Sequence, residues 1–105
     1  MAEQVLVLEE AATDLDEGTD FYEIQKAGLG DYFFDSLISD IESLVISAGV
    51  HALHFGHHRM LSRRFPFAIY YDFHGGIVRV VAVLDMRKNP AWIRDKLGKC
   101  TQFQP

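Results

Sequence analysis

Residues 67–85 read FAIYYDFH, then GG, then IVRVVAVLD. Two runs of aromatic and β-branched residues joined by a two-residue Gly-Gly link predict a β-hairpin, since that link suits tight turns needing positive φ. The register follows from the link. His74 pairs with Ile77, Phe73 with Val78, Asp72 with Arg79, Tyr71 with Val80, and Ile69 with Ala82. One face then carries Phe67, Ile69, Tyr71, Phe73, Val78, Val80, Ala82 and Leu84, while the other sets Asp72 against Arg79 as a favourable cross-strand pair. A slip of one residue would lose both features.

The rest of the chain must cover that apolar face. Val5-Leu6-Val7-Leu8 predicts a short strand. The segment after it places Leu8, Ala11, Ala12, Leu15 and Tyr22 near one helical face with acids opposite, although Gly18-Thr19 weakens its middle. GLGD at 28–31 breaks the chain, with Asp31 expected to cap a second helix. That helix carries Phe33, Phe34, Leu37, Ile38, Ile41, Leu44, Val45 and Ala48, with Gly49 at its stop. Short strands are expected around His54-Phe55 and Arg59-Met60-Leu61, and Pro90 opens a last helix, PAWIRDKLG. The expected fold is α+β: an N-terminal strand and a helical hairpin packed on an antiparallel β-sheet, with a short C-terminal helix.

A chain of 105 residues with 49% hydrophobic and 24% charged residues predicts a single domain, with a core over about 5–97 and a tail over 98–105 that is frayed or partner-bound. No apolar run approaches the roughly 20 residues that span a bilayer, so no membrane association is expected. The single cysteine, Cys100, leaves no internal disulfide and fits a reducing cytoplasm. No base stands beside it, so no nucleophilic role is assigned to it. The net charge of −5 conceals a split. Residues 1–50 hold twelve acids and one base, Lys26, whereas residues 51–105 hold three acids, nine bases and all five histidines. Such asymmetry suits either a charged partner or two halves of one fold that neutralise each other.

FPFAIYYDF, the hairpin turn and VRVVAVLDMRKNP together resemble the signature of the RelE/ParE toxin superfamily, the toxin half of type II toxin-antitoxin and plasmid-stabilisation modules. Upstream, residues 11–44 resemble that family's leading helical hairpin, so the resemblance spans roughly residues 5–97. It implies two broad activities. RelE-type members cut mRNA on the ribosome, and ParE-type members, where understood, poison DNA gyrase. The nuclease branch implies an arginine where this chain has Ala68, an arginine at Arg87 and a tyrosine where this chain has Ile93. Arg59 stands for one upstream basic residue, and Leu61 occupies another.

Ribonucleotide cleavage needs a proton acceptor, a proton donor and cations on the transition state. Arg87 supplies charge, but Ala68 and Ile93 transfer no proton. His57, His58 and Tyr70 are the substitutes, giving Arg59, Arg87, His58 and Tyr70 as the set for a nuclease. The resemblance therefore implies a ParE-like toxin that binds a cellular target, gyrase being one such target, and is neutralised by a cognate antitoxin. A RelE-like endonuclease acting on ribosome-bound mRNA and a non-toxic remnant are the alternatives.

Arg59, Arg63, Arg64, Arg87 and Lys88 form the expected surface for target or antitoxin. Arg63 and Arg64, read as a strand end, point to opposite faces, either as a charged guard against edge pairing or as an anion-facing edge. HALHFGHH holds four histidines in eight residues, but Gly56 interrupts it and no cysteine accompanies it. It is read as polar filler or phosphate contact rather than a metal site, and no cofactor is expected. Trp92 and Ile93 are expected to dock the last helix, Tyr71 to be core and Tyr70 to be reachable.

Overall fold

The computed structural model describes residues 1–101, without the side chains of 99–101. The expectations for Cys100 as a thiol and for the tail beyond Thr101 lie outside the described residues. The element order is β1 (Gln4–Val7), α1 (Glu9–Gln25), α2 (Leu29–Glu42), α3 (Leu44–Ser47), β2 (Leu53–His54), β3 (His57–Leu61), β4 (Phe67–His74), β5 (Ile77–Asp85) and α4 (Pro90–Thr101). One sheet runs in the order β1-β5-β4-β3-β2. It is antiparallel except for β1, which joins β5 in parallel. The α1–α2 hairpin covers one face, with Leu15, Tyr22, Phe33, Leu37 and Ile41 packed on Ile69, Tyr71, Val78, Val80 and Val83. On the other face α4 lays Ile93 and Leu97 on Ala68, Tyr70, Ala82 and Leu84.

Gly75 and Gly76 take φ of 57° and 77°, the mirror-image turn that matches strand twist. From His74↔Ile77 to Tyr71↔Val80 the register is as the sequence predicts. It then shifts, so that Tyr70 pairs with Ala82 and Ile69 with Val83, not with Ala82. Val81 is the extra residue of a β-bulge, which reverses the alternation beyond it. Ala82 and Leu84 consequently leave the predicted face for the one beneath α4, and Val83 takes their place against the helical hairpin.

The glycine in the middle of α1 marks where α2 comes closest. A Cβ on Gly18 would stand 2.6 Å from ring atoms of Phe33, which is fully buried. Gly18→Ala should therefore destabilise the protein by about 1–3 kcal/mol, even though alanine favours a helix. Urea unfolding would show it, and a stabilised variant would place the helix crossing elsewhere.

At the start of α2 the cap residue is Gly28, at φ 89°, rather than Asp31. Glu23 of α1 accepts hydrogen bonds from the N–H groups of Gly28 (3.0 Å) and Gly30 (2.9 Å), doing the work expected of Asp31. The second helix stops at Glu42, where Ser43 Oγ donates to the Asp40 carbonyl at 2.5 Å, and α3 is a separate turn. Phe55 lies in the β2–β3 turn with Gly56, not in a strand; it sits at φ 55° and is half exposed. The last helix runs three residues past the expected Gly98, to Thr101.

Candidate functional site

Arg63 and Arg64 do not lie on a strand. They stand in the 62–66 loop between β3 and β4, so the alternation expected of them does not apply. The loop is fixed from two sides. Asp40, on α2, accepts from Ser62 Oγ at 2.8 Å and from the Arg63 N–H at 3.3 Å. Phe65 sits among Tyr22, Phe33 and Tyr32, with ring centroids 4.9, 5.0 and 5.5 Å away. Both arginine side chains are exposed, and among the described residues neither has a carboxylate partner.

The loop after β5 emerges beside them. Met86 N–H donates to the Pro66 carbonyl at 2.8 Å, and Phe67 pairs with Asp85. Arg87 and Lys88 therefore share this end of the sheet with Arg63 and Arg64. Arg87 is partly neutralised: its Nε and Nη2 donate to the two Asp85 oxygens at 3.0 and 2.8 Å. That fork holds the Asp85 carboxyl below the ordinary carboxylate range. Lys88 Nζ lies 5.4 Å from the centre of the Trp92 ring.

Arg59 stands apart from this cluster, on β3 opposite Tyr70 and on the sheet face that α4 covers farther along. The sheet edge next to it is partly closed, because β2 pairs with His57 and His58 and the Arg59 N–H donates to the Ala52 carbonyl at 3.0 Å. Tyr70 is fully buried rather than reachable. Its hydroxyl donates to Met86 Sδ at 3.6 Å, and burial pushes its pKa up against the opposing charge of Arg59. Tyr71 is core, as expected; its hydroxyl accepts the Gly49 N–H at 3.0 Å and meets His51 Nδ1 at 2.5 Å.

The histidines divide between the faces. His58 stacks on Tyr71, and its Nδ1 donates to the His51 carbonyl at 2.6 Å, so it sits on the opposite side of the sheet from Arg59 and Tyr70. His57 is buried on the Arg59 side, with Nδ1 2.7 Å from Asp72 Oδ1. Asp72 thus meets His57 rather than Arg79, although the register sets it opposite Arg79. His57 Nε2 is buried and has no hydrogen-bond partner among the described residues. Among the described residues no three His, Cys, Asp or Glu side chains converge on a metal position. Ala68 and Ile93 are both buried in the core beneath α4. That arrangement leaves Arg87 by itself among the three implied nuclease positions.

A groove of about 260 Å³ opens between α1, the end of β5 and α4, lined by Phe21, Trp92, Lys88, Lys96 and Asp14 among others. Asp14 is 8% exposed, and its Oδ2 accepts the Val83 N–H at 3.0 Å, a strand-edge donor that β1 is too short to reach. Lys96 Nζ approaches its Oδ1 at 3.9 Å. Burial raises the Asp14 pKa to about 6, against the Val83 hydrogen bond and Lys96. Neither Asp14 nor the groove is among the features singled out from the sequence.

The folded state binds this proton more tightly than the unfolded chain, so stability falls as pH rises from about 4 to about 6. The cost above pH 6 is about 3 kcal/mol for a shift of this size. Asn at position 14 can still accept from Val83. Asp14→Asn should therefore gain about 2 kcal/mol over the natural chain at pH 7.5 and show no advantage at pH 4. Asp85, whose pKa is lowered, works in the opposite sense but equally in both proteins. Urea midpoints across this range measure the gap, and a gap independent of pH would refute the assignment.

No protein-family model and no curated protein matches the chain. Among solved structures, a chain of the chromosomal ParDE TA system from P. aeruginosa superposes with a TM-score of 0.67 at 18% identity. The match covers 79% of this chain and 94% of that one. The fold is therefore of the ParDE type. No helix among the described residues is long and apolar enough to cross a membrane.

Proposed function

We propose that the chain is the toxin of a type II toxin-antitoxin module, ParE-like in acting by binding, with a cytoplasmic target and a cognate antitoxin that neutralises it. The observation that carries this reading is the likeness to a ParDE chain over nearly all of that chain's length. The exposed pair Arg63 and Arg64, on a loop fixed by Asp40 and Phe65, supports it by offering an anionic partner a preorganised contact. Gyrase is the target that the sequence resemblance implies. Induced expression in a bacterium tests the reading. Growth arrest with a DNA-damage response is expected, together with loss of supercoiling by purified gyrase. Normal growth would favour the non-toxic remnant.

A second reading, ribosome-dependent mRNA cleavage, has one specific observation in its favour. With Nδ1 turned to Asp72, His57 directs an Nε2 that has no hydrogen-bond partner among the described residues to the sheet face that carries Arg59 and Tyr70. A proton acceptor, a cation and a hydroxyl are the parts such cleavage needs. His58 is not among them. The burial of His57 and Tyr70 weighs against this reading, and so does the apolar packing of Ala68 and Ile93. Cuts within codons in a translating extract, lost with His57→Ala, would promote it.

A further inference from the structure

Residues 49–52 carry the chain from α3 to β2, and through β2 they close the outer edge of β3. β2 holds that edge with two residue pairs, Leu53↔His58 and His54↔His57, and Leu53 is 63% exposed. So short an edge strand opens easily unless the segment before it is fastened. Three side chains do the fastening. The hydroxyl oxygen of Tyr71, a fully buried residue of β4, accepts the Gly49 N–H at 3.0 Å and meets His51 Nδ1 at 2.5 Å. His58 stacks on the Tyr71 ring at 5.0 Å, and its Nδ1 reaches the His51 carbonyl at 2.6 Å. The Arg59 N–H adds a bond to the Ala52 carbonyl at 3.0 Å.

Donors and acceptors fix the protons in this cluster. A backbone N–H donates, so the Tyr71 oxygen is an acceptor toward Gly49 and its one hydrogen goes to His51 Nδ1. His51 is then neutral, with its ring proton on Nε2. A carbonyl accepts, so His58 carries a proton on Nδ1. We propose that His51 and Tyr71 form an acid-released latch: a proton on His51 Nδ1 sets a donor against the Tyr71 hydroxyl, and residues 49–52 come away with β2 from the β3 edge. The Tyr71 hydroxyl would then face two donors and lose its own acceptor in a buried place, which is costly. The groups that face His51 are Tyr71 from β4 and His58 from β3, and among the described residues no carboxylate forms an ion pair with it. Burial, and then the charge of His58, lower its pKa, so the latch is closed above the ordinary histidine range and loosens as pH falls through it. The latch works whatever the chain binds. A bare β3 edge is a template for strand pairing, so its release offers the sheet to another strand.

An open segment in which His51 titrates at about 6.5, set against a closed one that does not take the proton, is about tenfold more populated at pH 5.5 than at pH 7.5. Hydrogen exchange in a nitrogen-15-labelled sample reads this population at the Gly49 and Arg59 amides, after correction for the intrinsic pH dependence of exchange. The Leu8 amide, which donates to the Val80 carbonyl at the opposite edge of the sheet, is the internal reference. Protection at Gly49 and Arg59 should fall about tenfold relative to Leu8 between pH 7.5 and pH 5.5. His51→Asn keeps a side-chain acceptor near the place of Nδ1 and does not titrate, so the fall should vanish. Tyr71→Phe removes the hydroxyl alone and should leave protection low at both pH values. Imidazole nitrogen-15 shifts at pH 7.5 should show His51 protonated on Nε2 and His58 on Nδ1. Equal protection at the two pH values, a fall that survives His51→Asn, or a His51 protonated on Nδ1 at pH 7.5 would each overturn the proposal. A parallel fall at Leu8 would mean that the whole domain opens, and would overturn it as well.

Discussion

Ile69→Asp should abolish cooperative unfolding at neutral pH. Ile69 is fully buried at the centre of the sheet, between Met60 on β3 and Val83 on β5, facing the helical hairpin. Removing its side chain forfeits roughly 1.5–3 kcal/mol of burial. Placing a carboxylate there without a partner costs several kcal/mol more, or forces it to bind a proton. Small domains hold about 5–15 kcal/mol in all, so the two losses together reach the whole stability. Leu61→Asp is the matched control: it lies one strand over, opposite Ala68, and its residue is 56% exposed. Thermal melts of both variants decide the matter. A sharp melt for Ile69→Asp near that of the natural chain would show that the face assigned to this strand is wrong.

The contrast between these two leucine-like positions also shows what the sequence could and could not reveal. The hairpin from Tyr71 to Val80 was legible because polar residues punctuate it: Asp72 and Arg79 fix which face is which. Farther along, residues 80–84 are apolar without exception, since the helical hairpin covers one face and α4 the other. Alternation is silent in such a run, so the bulge at Val81 left no trace in the pattern. The same limit explains Arg63 and Arg64. Their loop is held by Asp40, more than twenty positions upstream, and by the packing of Phe65, neither of which local spacing reports. The groove did leave a signal. Asp14 falls on the stripe of Ala11, Leu15, Gly18 and Tyr22, the buried face of α1, whereas the other acids of that helix are exposed. An acid on an apolar stripe marks a buried carboxylate that needs a donor, and here the donor is a strand edge.

Reversing Arg63 and Arg64 to Glu should slow association with an acidic antitoxin by about an order of magnitude or more at low salt. Steering by charge raises association rates over a range of about 10–10³ and acts through exposed groups without partners. These two arginines meet that condition better than Arg87, which Asp85 already holds in a two-pronged ion pair. Their loop is anchored at Ser62 and Phe65, whose contacts the reversal leaves intact, so the fold should survive it. The Debye length shortens from about 10 Å at 0.1 M salt to about 3 Å at 1 M, so the difference between natural chain and double variant should shrink as salt is added. Dissociation should change less than association, because charge steering acts mainly on encounter, whereas buried contacts govern how long a complex lasts. Stopped-flow association against ionic strength, with the cognate antitoxin as partner, separates the two effects. Equal association rates at low salt would take Arg63 and Arg64 out of the encounter and leave them as solvated residues on a loop whose rigidity serves the fold alone.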